Sequence, residues 1–205
     1  MTVTQSLLAF LLAASLFTIT PGIDTAMILR TAAAQGPRQA MKAGLGICAG
    51  CLVWGVAASV GLGALLAASH TAFTVVKWIG AAYLCYLGLK LALAPRAHLD
   101  TPQITLREGS ALMRGLLTNL LNPKIGLFYV TFLPQFVPAG VGSLSYTLLL
   151  ACIHVALTVV WFAILIAATV PLGRFLSRAR VVKALDRLTG GVFIGFGVKL
   201  ALSRS

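Results

Sequence analysis

The stretch Thr18-Ile19-Thr20-Pro21-Gly22-Ile23-Asp24-Thr25 lies inside the first long apolar segment, Leu7 to Leu29, and its reading decides the fold. Three of its residues are out of place in a plain membrane anchor. Proline removes a backbone donor and breaks a helix. The glycine beside it loosens the backbone further. Asp24 then sets a carboxylate among lipid-like side chains, which costs roughly 2.5–3.5 kcal/mol on insertion scales. An interrupted membrane helix with an ionisable group at the break is a common way to build a binding site inside a bilayer.

Around this stretch, the 205-residue chain is 59% hydrophobic and only 10% charged, with a mean hydropathy of +0.97. A soluble domain is about 45–50% apolar. At about 20 residues per span, the chain has room for six helices, short loops and little else. The expected fold is therefore all-α and membrane-integral, a single domain over residues 1–205. The predicted spans are Leu7–Leu29, Met41–Ala68, Ala72–Ala94, Leu112–Pro134, Ser145–Pro171 and Val181–Leu202. Met1 to Ala9 contains no Lys or Arg, so it lacks the basic start of a signal peptide, and the first apolar run is expected to be retained. Cys48, Cys51, Cys85 and Cys152 all fall inside predicted spans, where no disulfide framework is expected.

The net charge of +12 does not point to nucleic acid. Its basic residues sit in short loops between apolar runs and read as topology signals. The first, third and fifth loops with their edges hold twelve: Arg30, Arg38, Lys42, Lys90, Arg96, Arg107, Arg114, Arg174, Arg178, Arg180, Lys183 and Arg187. The opposite side holds three, Lys77, Lys199 and Arg204. The positive-inside rule puts the three basic loops in the cytoplasm and both termini outside.

The polar segment 95–110 marks the midpoint, and the halves on either side of it, about 1–94 and 111–205, match. Pro21 in span one corresponds to Pro123 in span four, 102 residues on. Gly88-Leu89-Lys90-Leu91-Ala92-Leu93 corresponds to Gly197-Val198-Lys199-Leu200-Ala201-Leu202, 109 residues on. Each half has three spans, so the second copy must be inverted in the membrane. The expectation is an inverted 3+3 repeat with broken helices one and four, an alternating-access architecture.

The second break is Asn122-Pro123-Lys124. Lys124 lies ten residues beyond Arg114, roughly 15 Å at 1.5 Å rise per residue, which is near the midplane. It reads either as a snorkelling lysine or as a functional group, and so deep a position favours the second. The inverted symmetry would bring Asp24 and Lys124 together at the bundle centre. There they could neutralise each other, or each could hold one end of a zwitterion. The half-helix amides after Pro21 or Pro123 could take a substrate carboxylate. Asp24 itself has two readings, a proton-coupling group or a cap of the half-helix after Pro21-Gly22. The expected substrate and proton site is Pro21, Gly22, Asp24, Asn122, Pro123 and Lys124.

His154, inside span five, reads as a packed neutral imidazole or as a proton relay. Cys48-Ala49-Gly50-Cys51 reads as small packing residues rather than a soft-metal site. Gly46-x-x-x-Gly50 and Gly191-x-x-x-Gly195 read as close helix contacts. Trp54 reads as a packing residue, with a place on the substrate path as the alternative. No nucleophile–base pair, phosphate loop or metal-ligand cluster stands out. No catalytic function, cofactor or resident metal is expected, and uphill transport would have to use an ion gradient.

The sequence resembles the LysE/RhtB family of bacterial amino-acid exporters along nearly its whole length. The resemblance rests on Thr20-Pro21-Gly22-Ile23-Asp24, Gly44-x-Gly46, Lys77-Trp78-Ile79-Gly80-Ala81-Ala82-Tyr83-Leu84, Tyr86-Leu87-Gly88, Asn122-Pro123-Lys124 with Phe128, and Pro134-Gln135-Phe136. The family's usual Pro-Gly-Pro-Asp departs here to Ile23. The resemblance implies proton-driven efflux of amino acids or related zwitterions across a bacterial cytoplasmic membrane. Its partners would be the small-molecule substrate and the lipid bilayer, with no nucleic acid, and homo-oligomers are compatible with it. A metal-cation exporter on the same scaffold is the alternative, since related families are linked to cadmium resistance. The shortage of intramembrane Asp, Glu and His argues against it.

Overall fold

Thr2 starts the first helix. Its hydroxyl accepts from the Gln5 N–H at 3.2 Å, and the Gln5 amide accepts from the Thr2 N–H at 3.0 Å, a reciprocal cap. Helix α1 (Val3–Ile19) then runs to Thr20, whose N–H still reaches the Leu16 carbonyl at 3.1 Å. Pro21 has no N–H to continue the ladder. The chain turns through Gly22 and resumes as α2 (Ile23–Gln35), inclined 51° to α1. Gly22 sits at φ −145° and ψ −167°, extended backbone open to other residues, so its conformation does not itself demand glycine. Gly36 differs: at φ 85° it needs the freedom of glycine to turn α2 into α3 (Pro37–Ala68).

The computed structural model describes residues 1–68, 70–95, 110–168, 175 and 178–202, without the side chains of some helical residues. Arg96, Arg107, Arg174, Arg204 and most of the segment 95–110 lie outside it, as do the side chains of Lys77 and Lys199. Helix α4 (His70–Leu93) follows α3. Helix α5 (Ala111–Leu120) is capped by the Ser110 hydroxyl, which accepts from the Met113 N–H at 3.2 Å. After Leu121 and Asn122 comes a single turn, α6 (Pro123–Leu127), then a π turn over Phe128–Phe132 and a 3₁₀ turn over Leu133–Phe136. Helices α7 (Ser143–Ala167) and α8 (Ala179–Leu202) complete the order.

The described residues hold no strand. Pro37–Gly61 and Ser143–Ala167, 25 residues each, are long and apolar enough to cross a membrane, and the bent α1–α2 pair is a third span if counted as one. This is the architecture of an integral membrane protein. In chain order the stretches predicted as spans one to six correspond to α1–α2, α3, α4, the α5-to-3₁₀ segment, α7 and α8, with residues 169–171 of the fifth outside the described residues. α3 begins at Pro37, ahead of the predicted Met41, because proline is tolerated in a first helical turn.

Two seams of small residues hold the helices together. α3 lies against α5: a Cβ on Gly46 would sit 1.9 Å from the Leu112 carbonyl oxygen, and one on Gly115 would sit 2.0 Å from that of Ala43. α4 lies against α8, with Gly88 on Gly190 and Gly197 on Ala81 and Cys85. The expected contact at Gly191-x-x-x-Gly195 is corrected here. Nothing described lies within 4 Å of a Cβ at either position. The buried stripe of α8 carries Asp186, Thr189, Gly190, Phe193 and Gly197, and Gly191 and Gly195 lie off it, exposed.

The α3–α5 seam makes a prediction. Gly46→Ala has no room against a backbone oxygen and should destabilise the protein by about 1–3 kcal/mol, the usual penalty of overpacking. Gly61→Ala meets nothing within 4 Å among the described residues and should leave the melting temperature unchanged or raise it. Thermal unfolding of the two variants in the same detergent checks the contrast, and equal shifts would contradict it.

Aromatic rings fill the space between α1, the π turn and α8. Phe17 stacks on Phe128 at 4.1 Å, Phe10 meets Phe136 edge-on at 5.2 Å, and Phe132 meets Phe193 at 5.8 Å. Beyond the rings, Tyr146 donates to the Ser6 hydroxyl at 2.9 Å, and Ser6 donates to the Phe136 carbonyl.

Candidate functional site

The two interruptions meet. Pro21 ends α1 and leaves the Phe17 carbonyl, four residues back, without its helical N–H donor. The Lys124 ammonium fills the gap, donating to the Phe17 carbonyl at 3.1 Å and the Thr20 carbonyl at 3.0 Å. It also lies 4.3 Å from the centre of the Phe17 ring. A cation at the C-terminal end of a helix is favoured by the helix dipole. Asp24 stands on the other side of the break, in the first turn of α2, where the dipole favours an anion.

Asp24 does not cap α2 in the usual way. The N-cap is Gly22, which makes no side-chain cap bond. The Asp24 carboxylate instead accepts from the amides of Asn119, at 2.9 Å, and Asn122, at 3.2 Å. Asn122 works in both directions, since its side-chain oxygen accepts the Lys124 N–H at 3.1 Å and so starts α6. Pro123 occupies the first turn of α6, where its missing N–H costs nothing. One asparagine thus ties the second break to the carboxylate of the first.

Asn119 is fully buried, and the sequence reading did not single it out. Its amide also donates to the Cys51 sulfur at 3.4 Å. Its oxygen has no hydrogen-bond partner among the described residues and lies against Gly50, where a Cβ would come within 2.5 Å. Rotating the amide would turn that oxygen toward the Asp24 carboxylate, so the orientation is set by charge. Thr189, and a role for the Thr20 hydroxyl, were not read from the sequence. The two hydroxyls share a 2.6 Å hydrogen bond that ties the end of α1 to α8.

Between the two breaks lies a cavity with Phe17, Thr20, Asp24, Cys51, Lys124 and His154 on its wall. His154 is buried, and its Nδ1 shares a 2.9 Å hydrogen bond with the Tyr129 hydroxyl. Trp54 is not among the lining residues. It packs on Gly126, where a Cβ would sit 2.9 Å from its ring. The cavity measures about 30 Å³, room for two or three waters at ~10–15 Å³ each. An amino acid would need it to widen.

Of the predicted site residues, Gly22, Asp24, Asn122 and Lys124 line this cavity, and Pro21 and Pro123 are their neighbours in the chain. Residues 15–204 match the family model described as LysE type translocator. The chain belongs to that family. The family relatives include the membrane protein YrhP of Bacillus subtilis (strain 168), 34% identical over 97% of this chain and 100% of its own. The threonine efflux protein of Escherichia coli (strain K12) is 31% identical over 91% of this chain and 92% of its own. The homoserine/homoserine lactone efflux protein of Salmonella typhimurium is 30% identical, with 96% of each chain covered. No solved structure matches.

Proposed function

We propose that this LysE-type translocator exports amino acids or related small zwitterions from the cytoplasm of a bacterial cell by proton antiport. The observation that carries the reading is a carboxylate, Asp24, and an ammonium, Lys124, on the wall of one cavity between two helix breaks. Opposite charges held apart by other partners suit a substrate that carries both. Threonine and homoserine are the first substrates to test, because relatives of similar length are efflux proteins for them. In the proposed site Pro21, Gly22, Asn122 and Pro123 shape the breaks, Asp24 couples the proton and Lys124 meets the substrate. His154, through Tyr129, is the candidate proton relay. No specific observation favours the metal-cation alternative.

The proposed architecture is six spans in an inverted 3+3 repeat, with helices one and four broken. Reciprocal packing supports it. With the 109-residue offset, Gly88 corresponds to Gly197 and Ala81 to Gly190. Gly88 meets Gly190, and its mate Gly197 meets Ala81, the exchange that a two-fold axis produces. α3 packs on α5 while α7 packs on α1, again partners exchanged between the halves. The charge split between loops then puts both termini outside the cytoplasmic membrane. Reporter fusions at Ala94 and Ser205 should land on opposite sides, Ala94 in the cytoplasm. A cytoplasmic C-terminus would overturn both the span count and the repeat.

Inverted membrane vesicles test the transport reading. With an acidic lumen, labelled threonine or homoserine should accumulate inside, and a proton uncoupler should abolish the accumulation. Accumulation insensitive to the uncoupler would remove proton antiport. Failure across the common amino acids would remove the substrate class.

A further inference from the structure

Helix carbonyls left over at the end of α1 form a small receptor for a cation. An unbroken helix would pair the Phe17 carbonyl with the N–H of residue 21, but residue 21 is proline. The Thr20 carbonyl is likewise left over because α2 restarts on a new axis, 51° away. The two oxygens converge on one point, 3.1 and 3.0 Å from the Lys124 nitrogen. The Phe17 face closes a third side at 4.3 Å, and Phe128 stacked behind it at 4.1 Å holds that ring in place. Two carbonyl dipoles and an aromatic face are a recognition set for a primary ammonium.

We infer that this cage, formed by the Phe17 and Thr20 carbonyls and the Phe17 ring, is the site for the substrate's own ammonium, and that Lys124 occupies it as a tethered stand-in when no substrate is bound. The inference rests on the exporter reading for the identity of the arriving ammonium. Lysine suits the part, because its ammonium is a compact point charge on a flexible four-carbon stem. When a zwitterion enters the widened cavity, its ammonium replaces that of Lys124 in the cage, and Lys124 swings to the substrate carboxylate. The cage keeps one positive charge throughout. The carbonyls are never left buried without a partner, a state that is expensive in a membrane. Pro21 then does more than break the helix: it keeps the Phe17 carbonyl open.

The test empties the cage without asking for transport. Lys124→Met keeps the length of the stem and removes the ammonium. Purified in detergent, this variant should gain a saturable rise in melting temperature with propylammonium chloride. The unmodified protein, whose cage is filled, should respond no more than it does to sodium chloride. Adding Phe17→Leu to Lys124→Met should weaken the propylammonium response several-fold, since the ring face is lost. Equal responses of Lys124→Met and the unmodified protein would overturn the inference. If Lys124→Met does not fold, Phe17→Leu alone carries the test. It loosens the lysine, so reductive methylation of Lys124, read by mass spectrometry of its peptide, should run several-fold faster than in the unmodified protein. An unchanged rate would overturn the inference. Neither readout involves an amino acid or a proton gradient, so the cage can fail while export stands, and export can fail while the cage stands.

Discussion

Lys124→Ala should lower gradient-driven export by at least about 30-fold while the protein remains inserted in the membrane. Truncating one member of a hydrogen-bonded charge contact costs about 2–5 kcal/mol when it is buried; Lys124 is half-buried, which selects the low end, and each ~1.4 kcal/mol is tenfold in a rate or binding constant. The alanine removes the donor to the Phe17 and Thr20 carbonyls and the charge that would meet a substrate carboxylate. Lys124→Arg should recover only part of the activity. A planar guanidinium is bulkier than an ammonium and donates along fixed directions, while the cavity holds only about 30 Å³. Export rates in vesicles, normalised to the amount of inserted protein, check both variants. Normal export by Lys124→Ala would reduce the residue to a structural clamp on the end of α1.

How much of this site could be read from the sequence follows from what makes a residue conspicuous. Proline, aspartate and lysine inside apolar runs carry a cost that periodicity does not explain, so Pro21, Asp24 and Lys124 stood out, and Asn122 came with them. Asn119 did not stand out because a neutral amide carries no charge and breaks no helix, so it gives none of the signals that mark Pro21, Asp24 and Lys124. Only the fold brings it 2.9 Å from a carboxylate ninety-five positions away. Phe17 read as one more apolar residue. Its carbonyl could have been flagged by counting four back from Pro21, a rule that needs no structure. Thr20 was legible only as part of the Thr20-Pro21-Gly22-Ile23-Asp24 motif and Thr189 not at all, since their contact depends on how α8 crosses the break. The glycines of α8 show the limit of motif reading. Gly190, Gly191, Gly195 and Gly197 offer several small-residue pairs, and which pair packs depends on the rotation of the helix. Periodicity over a segment this apolar fixes that rotation poorly, because nearly every face is hydrophobic.

Asp24→Asn should abolish uphill export while leaving substrate exchange measurable. The argument begins from the surroundings of the carboxylate. Both of its oxygens accept from amides, Asn119 on one and Asn122 on the other, and its charge also faces the Lys124 ammonium across the cavity. The replacing amide matches the carboxylate in shape and volume, so packing is kept. It has one oxygen instead of two, so it can accept from Asn119 or from Asn122, while its NH₂ group confronts the other donor. That mismatch should lower the melting temperature by the equivalent of about 1–3 kcal/mol, the penalty of one buried polar group left unsatisfied. If Asp24 served only to hold the two asparagines, this loss of stability would be the whole effect, and uphill export per inserted protein would be unchanged. If Asp24 carries the proton, no rearrangement of amides restores coupling, because an amide cannot take up and release a proton in the physiological range. Exchange of labelled for unlabelled substrate across vesicles needs the carrier to reorient but not to move protons, so it should persist in Asp24→Asn. Uphill export at the unmodified rate would assign Asp24 to structure and move the search for the proton path to His154 and Tyr129. Loss of exchange together with export would instead place Asp24 in substrate binding.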